Sequence, residues 1–123
     1  MTAHKVPLHI YKGATFDRSF IWASGPRGAA KPVDLAGCTA RAQVRAADND
    51  GPLLVEFSTQ DGSIELGGAS GRIRLRLSAA QTAAIEYRPG DVGVYDLPIT
   101  FPDGTVIVRM AGPVYVKAGP THA

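Results

Sequence analysis

Cysteine is almost missing: Cys38 stands alone among 123 residues. No internal disulfide can form, and one chain cannot assemble a Cys-rich zinc site or an iron-sulfur cluster. Histidine is nearly as scarce. His4, His9 and His122 are the only imidazoles, and two lie in or next to the ends of the chain. A Ser, Cys or Thr nucleophile needs a base held beside it on a rigid element, so no catalytic dyad or triad is expected. Neither sign of charge dominates: 13 Lys+Arg against 11 Asp+Glu leave a formal net charge of +2. That field is too weak to imply nucleic acid or an anionic membrane. Long apolar runs are absent too, both the roughly 18 residues of a membrane span and the shorter core of a secretory leader. Synthesis and folding in the cytoplasm are therefore expected.

What is present suits one folded domain. Hydrophobic residues make up 45% of the chain and charged residues 20%, while 14 Gly and 9 Pro favour many short strands joined by turns. Period-two alternation recurs. Phe16, Arg18, Phe20 and Trp22 share one strand face. From Cys38 to Ala46, the residues Cys38, Ala40, Ala42, Val44 and Ala46 face inward while Thr39, Arg41, Gln43 and Arg45 face water. Leu53 to Phe57 reads as a short apolar strand behind the Asp48-Asn49-Asp50-Gly51-Pro52 turn. The cleanest alternation is Arg72-Ile73-Arg74-Leu75-Arg76-Leu77. Ser78 with Gln81 makes a capping box, which predicts one short helix over 78–87, ending before Arg88-Pro89-Gly90. Val92 to Thr100 and Thr105 to Met110 form a hairpin about Phe101-Pro102-Asp103-Gly104, and Gly112-Pro113 is expected to interrupt the last strand as a bulge or kink.

The fold class expected is all-β: an antiparallel β-sandwich, Ig-like or jelly-roll-like, of about eight strands with one short helix. Its core is expected to hold Phe20, Trp22, Ile73, Leu75, Leu77, Val94 or its neighbour Tyr95, and Val108. Residues 1–12 read as an N-terminal arm and first strand, 13–117 as the sandwich and 118–123 as a flexible tail.

The constellations that could carry chemistry are sparse. Cys38 has the inward parity of a small buried hydrophobe. Asp48-Asn49-Asp50-Gly51 begins like a calcium loop, but the position of the bidentate Glu falls on Thr59. Gly67-Gly68-Ala69-Ser70-Gly71 lacks the Lys-Ser/Thr of a phosphate loop. Glu56, Glu65 and Glu86 sit in unrelated segments. No catalytic residue, cofactor or metal ligand is expected. Arg72, Arg74 and Arg76 form one basic stripe and Arg41 and Arg45 a second, but without interleaved aromatics neither reads as a nucleic-acid platform. Each reads as a solvated face, or one that meets acidic residues of a neighbouring subunit.

Taken in order, several segments carry a resemblance. They are Gly13-x-Thr15-Phe16-x-Arg18-x-Phe20-x-Trp22, Val33-Asp34-Leu35-x-Gly37-x-Thr39-Ala40-Arg41, Gly62-Ser63-Ile64-x-Leu66, and Gly71-x-Ile73-x-Leu75-x-Leu77-Ser78 with its helix. Tyr95-Asp96-Leu97-x-Ile99, Pro102-Asp103-Gly104 and Gly112-Pro113-Val114-x-Val116 follow. Together, over roughly residues 10 to 117, the chain resembles the small β-sandwich proteins of tailed bacteriophages and is similar to the N-terminal domain of baseplate upper proteins.

The resemblance implies a non-enzymatic virion structural protein, a baseplate or tail-tip adaptor that attaches or braces tail fibres or receptor-binding proteins. Its expected partners are other virion proteins, in multiple copies, with no nucleic acid and no membrane. A head-to-tail connector or capsid-surface component is the alternative place. A carbohydrate-binding module that uses Phe16, Phe20 and Trp22 is the alternative of another class.

Docking is expected at the two terminal strands and the arginine-bearing faces. The residues are Leu8, Ile10 and Tyr11, Arg72, Arg74 and Arg76, and Val114 and Val116. On this reading, deleting residues 1–10 leaves a folded domain that no longer enters particles.

Overall fold

The computed structural model describes residues 4–46, 51–86 and 92–118. Its strands follow the alternation. They are β1 (His4–Lys5), β2 (Leu8–Lys12), β3 (Phe16–Ile21), β4 (Ala23–Ser24), β5 (Lys31–Pro32), β6 (Thr39–Ala46), β7 (Leu53–Ser58), β8 (Ile64–Leu66), β9 (Arg72–Leu77), β10 (Gly93–Thr100) and β11 (Val106–Ala118). Eight of these span three residues or more, while β1, β4 and β5 are two-residue pieces.

The large sheet runs β7-β6-β10-β11, with β1 and β2 in succession along the far side of β11. The small sheet is β3-β9-β8, and β4 and β5 form a separate ribbon. The order places the third and fourth long strands beside the final hairpin, and the second beside the strand before the helix. That is the strand arrangement of an immunoglobulin-like sandwich. All pairings are antiparallel except those of β1 and β2 with β11, which are parallel.

One core fills the space between the sheets. The inward residues of β9, Ile73, Leu75 and Leu77, are buried, and so are Ala40, Ala42 and Val44 of β6. Small side chains on β6 need bulk from elsewhere. Phe57 of β7 supplies it, its ring centroid 5.9 Å from that of Phe16 on the opposite sheet. At the other end Trp22 meets Phe101 edge to face at 5.9 Å. Trp22 and Tyr95 are buried as expected, and Phe20, on an edge strand, is half-buried beneath Arg18.

Val108 is a correction, for it lies on the surface at 40% exposure. Pairing slips between Leu97 and Pro98, which face Met110 and Val108, so Arg109 is an extra residue on β11. A bulge reverses the inward parity of everything before it. Ile107 therefore sits opposite buried Ile99, and Met110 takes the core place. Gly112-Pro113, where the kink was expected, lies inside an unbroken β11. The proline falls between the stretches of β11 that pair with β1 and with β2, where no partner needs its missing N–H.

The hairpin turn forms as read: Gly104 N–H donates to the Phe101 carbonyl, and Asp103 accepts from Thr105 N–H. The capping box also forms, with Ser78 Oγ accepting from Gln81 N–H and Gln81 Oε1 accepting from Ser78 N–H. The helix, α1 (Ala79–Ala83), is shorter than expected. Its fully buried Thr82 accepts from Gly13 N–H and donates to a carbonyl, with those of Ala14 and Ala79 both in reach, which ties the β2–β3 turn to the helix. The expected stop at Arg88-Pro89-Gly90 and the Asp48-Asn49-Asp50 turn lie outside the described residues.

Gly71 is needed where it stands. At φ +71° it takes the left-handed conformation, and a Cβ there would lie 2.5 Å from the Trp22 carbonyl oxygen. Gly71→Ala is expected to lower unfolding free energy by on the order of 3 kcal/mol, from backbone strain and overlap together. Urea denaturation measures it; a loss below about 0.5 kcal/mol would mean that this turn gives way freely.

Candidate interaction surfaces

The outer face of the small sheet carries the arginine stripe. Cross-strand register sets Arg76 opposite Asp17, Arg74 between Ser19 and Glu65, and Arg72 opposite Ile21. Arg74 grips Asp17 with both donors of its fork, Nε to Oδ1 at 2.9 Å and Nη2 to Oδ2 at 2.6 Å, and reaches Glu65 at 3.5 Å. Arg76 takes the other oxygen of Glu65 at 2.7 Å, and Arg72 donates to Ser19 Oγ at 3.4 Å. The acids expected from a neighbouring subunit thus come from β3 and β8 of the same chain. Bidentate geometry holds the Asp17 carboxyl below the usual carboxylate range and raises the Arg74 guanidinium above its own.

A pocket of about 380 Å³ opens beside this ladder. Arg74 and Arg76 meet Asp17 and Asp61 there, among the hydroxyls of Thr15, Ser63 and Ser78. Opposite charges balance among the four ionised groups, so the pocket has no excess with which to hold a simple anion or cation.

Depressed carboxylates set the acid sensitivity. Asp17 and Glu56 titrate lower when folded than when unfolded, so they favour the folded state above their unfolded values. That contribution is lost as pH falls from about 4 downward. Asp17→Asn is expected to flatten the fall in denaturant midpoint below about pH 4. An unchanged slope would show that the Arg74 pair does not couple to folding.

The terminal strands correct the sequence reading. Val114 pairs with Leu8 and Val116 with Ile10, and all four side chains are buried, Leu8 and Ile10 at 0% exposure. The two segments expected to offer open edges cover one another. Of that set Tyr11 alone is exposed, at 50%, with Lys117 Nζ 5.8 Å from its ring centroid. The segment before Gly13 is part of the large sheet, and no detachable arm begins at Leu8. Lys117 and Ala118 continue β11 against Tyr11 and Lys12, while residues 119–123 lie outside the described residues.

The apolar part of the large sheet's outer face went unread in the sequence. Because the bulge turns Val106 and Val108 outward, they stand exposed at 57% and 40%. Half-buried Pro98, opposite Val108, continues this apolar row. Toward β7 the face becomes polar. Arg41 holds Glu56 at 3.0 and 3.1 Å, Gln43 donates to the same carboxylate, and Arg45 donates to Gln43 Oε1. These bonds, with Arg41 first, hold the Glu56 carboxyl low. The second basic stripe is largely occupied within the chain.

Other candidates are placed as follows. Cys38 is half-buried, and burial pushes its thiol up, away from the nucleophilic thiolate. His4 and His9 are exposed, His9 stacked on Tyr115 at 5.1 Å, and His122 lies outside the described residues. Phe16 and Trp22 are buried, so the aromatic platform of the sugar-binding alternative does not exist on the surface. Among the described residues no group of three or more His, Cys, Asp or Glu side chains comes together, and no helix is long and apolar enough to cross a membrane.

No family model matches the chain, and no curated protein does. Among solved structures, extracellular domains 3–5 of Drosophila OTK align over 92% of this chain at 16% identity and a TM-score of 0.37. This chain spans about a third of that one, 32%.

Proposed function

We propose that this protein is a non-enzymatic structural component of a tailed-phage virion, an adaptor in the tail tip or baseplate that attaches or braces fibres or receptor-binding proteins. The ordered set of segments from Gly13-x-Thr15-Phe16 to Gly112-Pro113-Val114 carries this reading, since it resembles the sandwich domains of baseplate proteins along nearly the whole chain. The exposed Val106 and Val108 row supports it: a rigid sheet with an apolar outer strip rimmed by polar side chains suits docking against another protein. Its partners are other virion proteins, and it acts in several copies per particle.

Density-gradient fractionation of an induced lysate tests the proposal. The protein is expected to band with the particles and to survive a second round of banding. Recovery only in the soluble fraction, with intact particles elsewhere on the gradient, would overturn the virion assignment.

A further inference from the structure

The edges of the two sheets are not equally protected. Strand β7 is interrupted by a register shift and has its Ser58 N–H capped by Ser63 Oγ, β2 lies against α1, and β8 is three residues long. Strand β3 has six residues and pairs on one side only, with β9. Trp22 N–H donates to the Gly71 carbonyl, so the hydrogen-bonded positions facing β9 are the even ones. Asp17, Ser19 and Ile21 therefore turn their N–H and C=O groups outward, and none of these groups has a partner among the described residues. Among the described residues, Ile21 is also the most exposed of the large hydrophobics, at 58%. The charges on this strand do not blunt it, because Asp17 is held by Arg74 and Arg18 lies 5.0 Å from the centre of the Phe20 ring.

We propose that β3 is a self-pairing edge: two copies of this chain join β3 to β3 about a two-fold axis through Ser19, making one six-stranded sheet from two three-stranded ones.

Self-complementarity points to a second copy. With Ser19 opposite Ser19, Asp17 faces the partner's Ile21 and Ile21 the partner's Asp17, so all three outward residues form hydrogen-bonded pairs. Arg18 then lies across from the partner's Phe20, twice over, and the cation contact each strand makes with itself can be made between strands. Sliding the pair by one residue either way leaves outward groups unmatched, and centring it on Arg18 sets guanidinium against guanidinium. The inference goes beyond the virion assignment and does not depend on it, since it rests on β3 alone.

Sedimentation equilibrium of the full chain tests it. A monomer–dimer equilibrium is expected. Ser19→Pro should abolish it while leaving the circular dichroism spectrum of the folded chain unchanged, because the backbone N–H it removes has no partner among the described residues. Register is tested by Ile21→Glu against Ile21→Lys. The first sets a second carboxylate against the partner's Asp17 and the second sets an ammonium there, so the glutamate variant should dimerise about tenfold more weakly. A chain that stays monomeric into the high micromolar range would overturn the proposal, as would a dimer that a folded Ser19→Pro retains. Should Ser19→Pro fail to fold, equal dimerisation of the two Ile21 variants would overturn it instead.

Discussion

Removing residues 1–10 is expected to unfold the domain, or to lower its melting temperature by about 20 °C or more. The deletion takes away Leu8 and Ile10, both fully buried, each contributing about 1.5 to 3 kcal/mol by burial alone. It uncovers Val114 and Val116, which face them across the parallel ladder. It also removes the carbonyl of Val6, which accepts from the buried Tyr95 hydroxyl at 2.7 Å, and an orphaned buried donor costs about 1 to 3 kcal/mol. The sum is comparable with the roughly 5 to 15 kcal/mol that holds a whole domain together. Differential scanning calorimetry of the truncated and full chains decides the matter. A truncated chain that melts within a few degrees of the full one would restore the reading of residues 1–12 as an arm.

Phe57→Ala is expected to cost about 3 to 5 kcal/mol, more than the loss of either Leu8 or Ile10 by burial alone. Phe57 is fully buried, and it bridges the sheets where β6 presents only Ala40, Ala42 and Val44. Deleting the ring leaves a void that small neighbours cannot fill. Phe57→Leu should recover more than half of the loss, since it restores most of the volume. Urea midpoints at constant slope measure both, and a loss below about 1 kcal/mol for the alanine variant would mean that the two sheets close over the gap.

Features encoded within a few residues were legible in the sequence. The β9 alternation, the Ser78–Gln81 capping box and the Pro102-Asp103-Gly104 turn each state their structure locally, and each formed as read. Long-range pairing was not legible. Nothing near Leu8 says that it will lie beside Val114, more than a hundred residues away, so a buried strand read as a polar arm with a free edge. The β11 bulge is equally silent, because one extra residue turns Val108 outward without altering the local pattern of valines. Arg72, Arg74 and Arg76 were identified as a stripe, but their acids became visible only with the register that brings Asp17 and Glu65 alongside. The interaction surface therefore changed most: of the eight residues expected there, four are core, three belong to the arginine ladder, and Tyr11 remains exposed.

Electron cryomicroscopy of banded particles tests most directly the proposal that this sandwich is a structural adaptor of the tail tip or baseplate. Density for the sandwich is expected there, repeated by the symmetry of the tail, with the Val106 and Val108 face seated against a neighbouring protein. Density for it at the head-to-tail junction or on the capsid, or a complete tail tip without it, would overturn the tail-tip assignment.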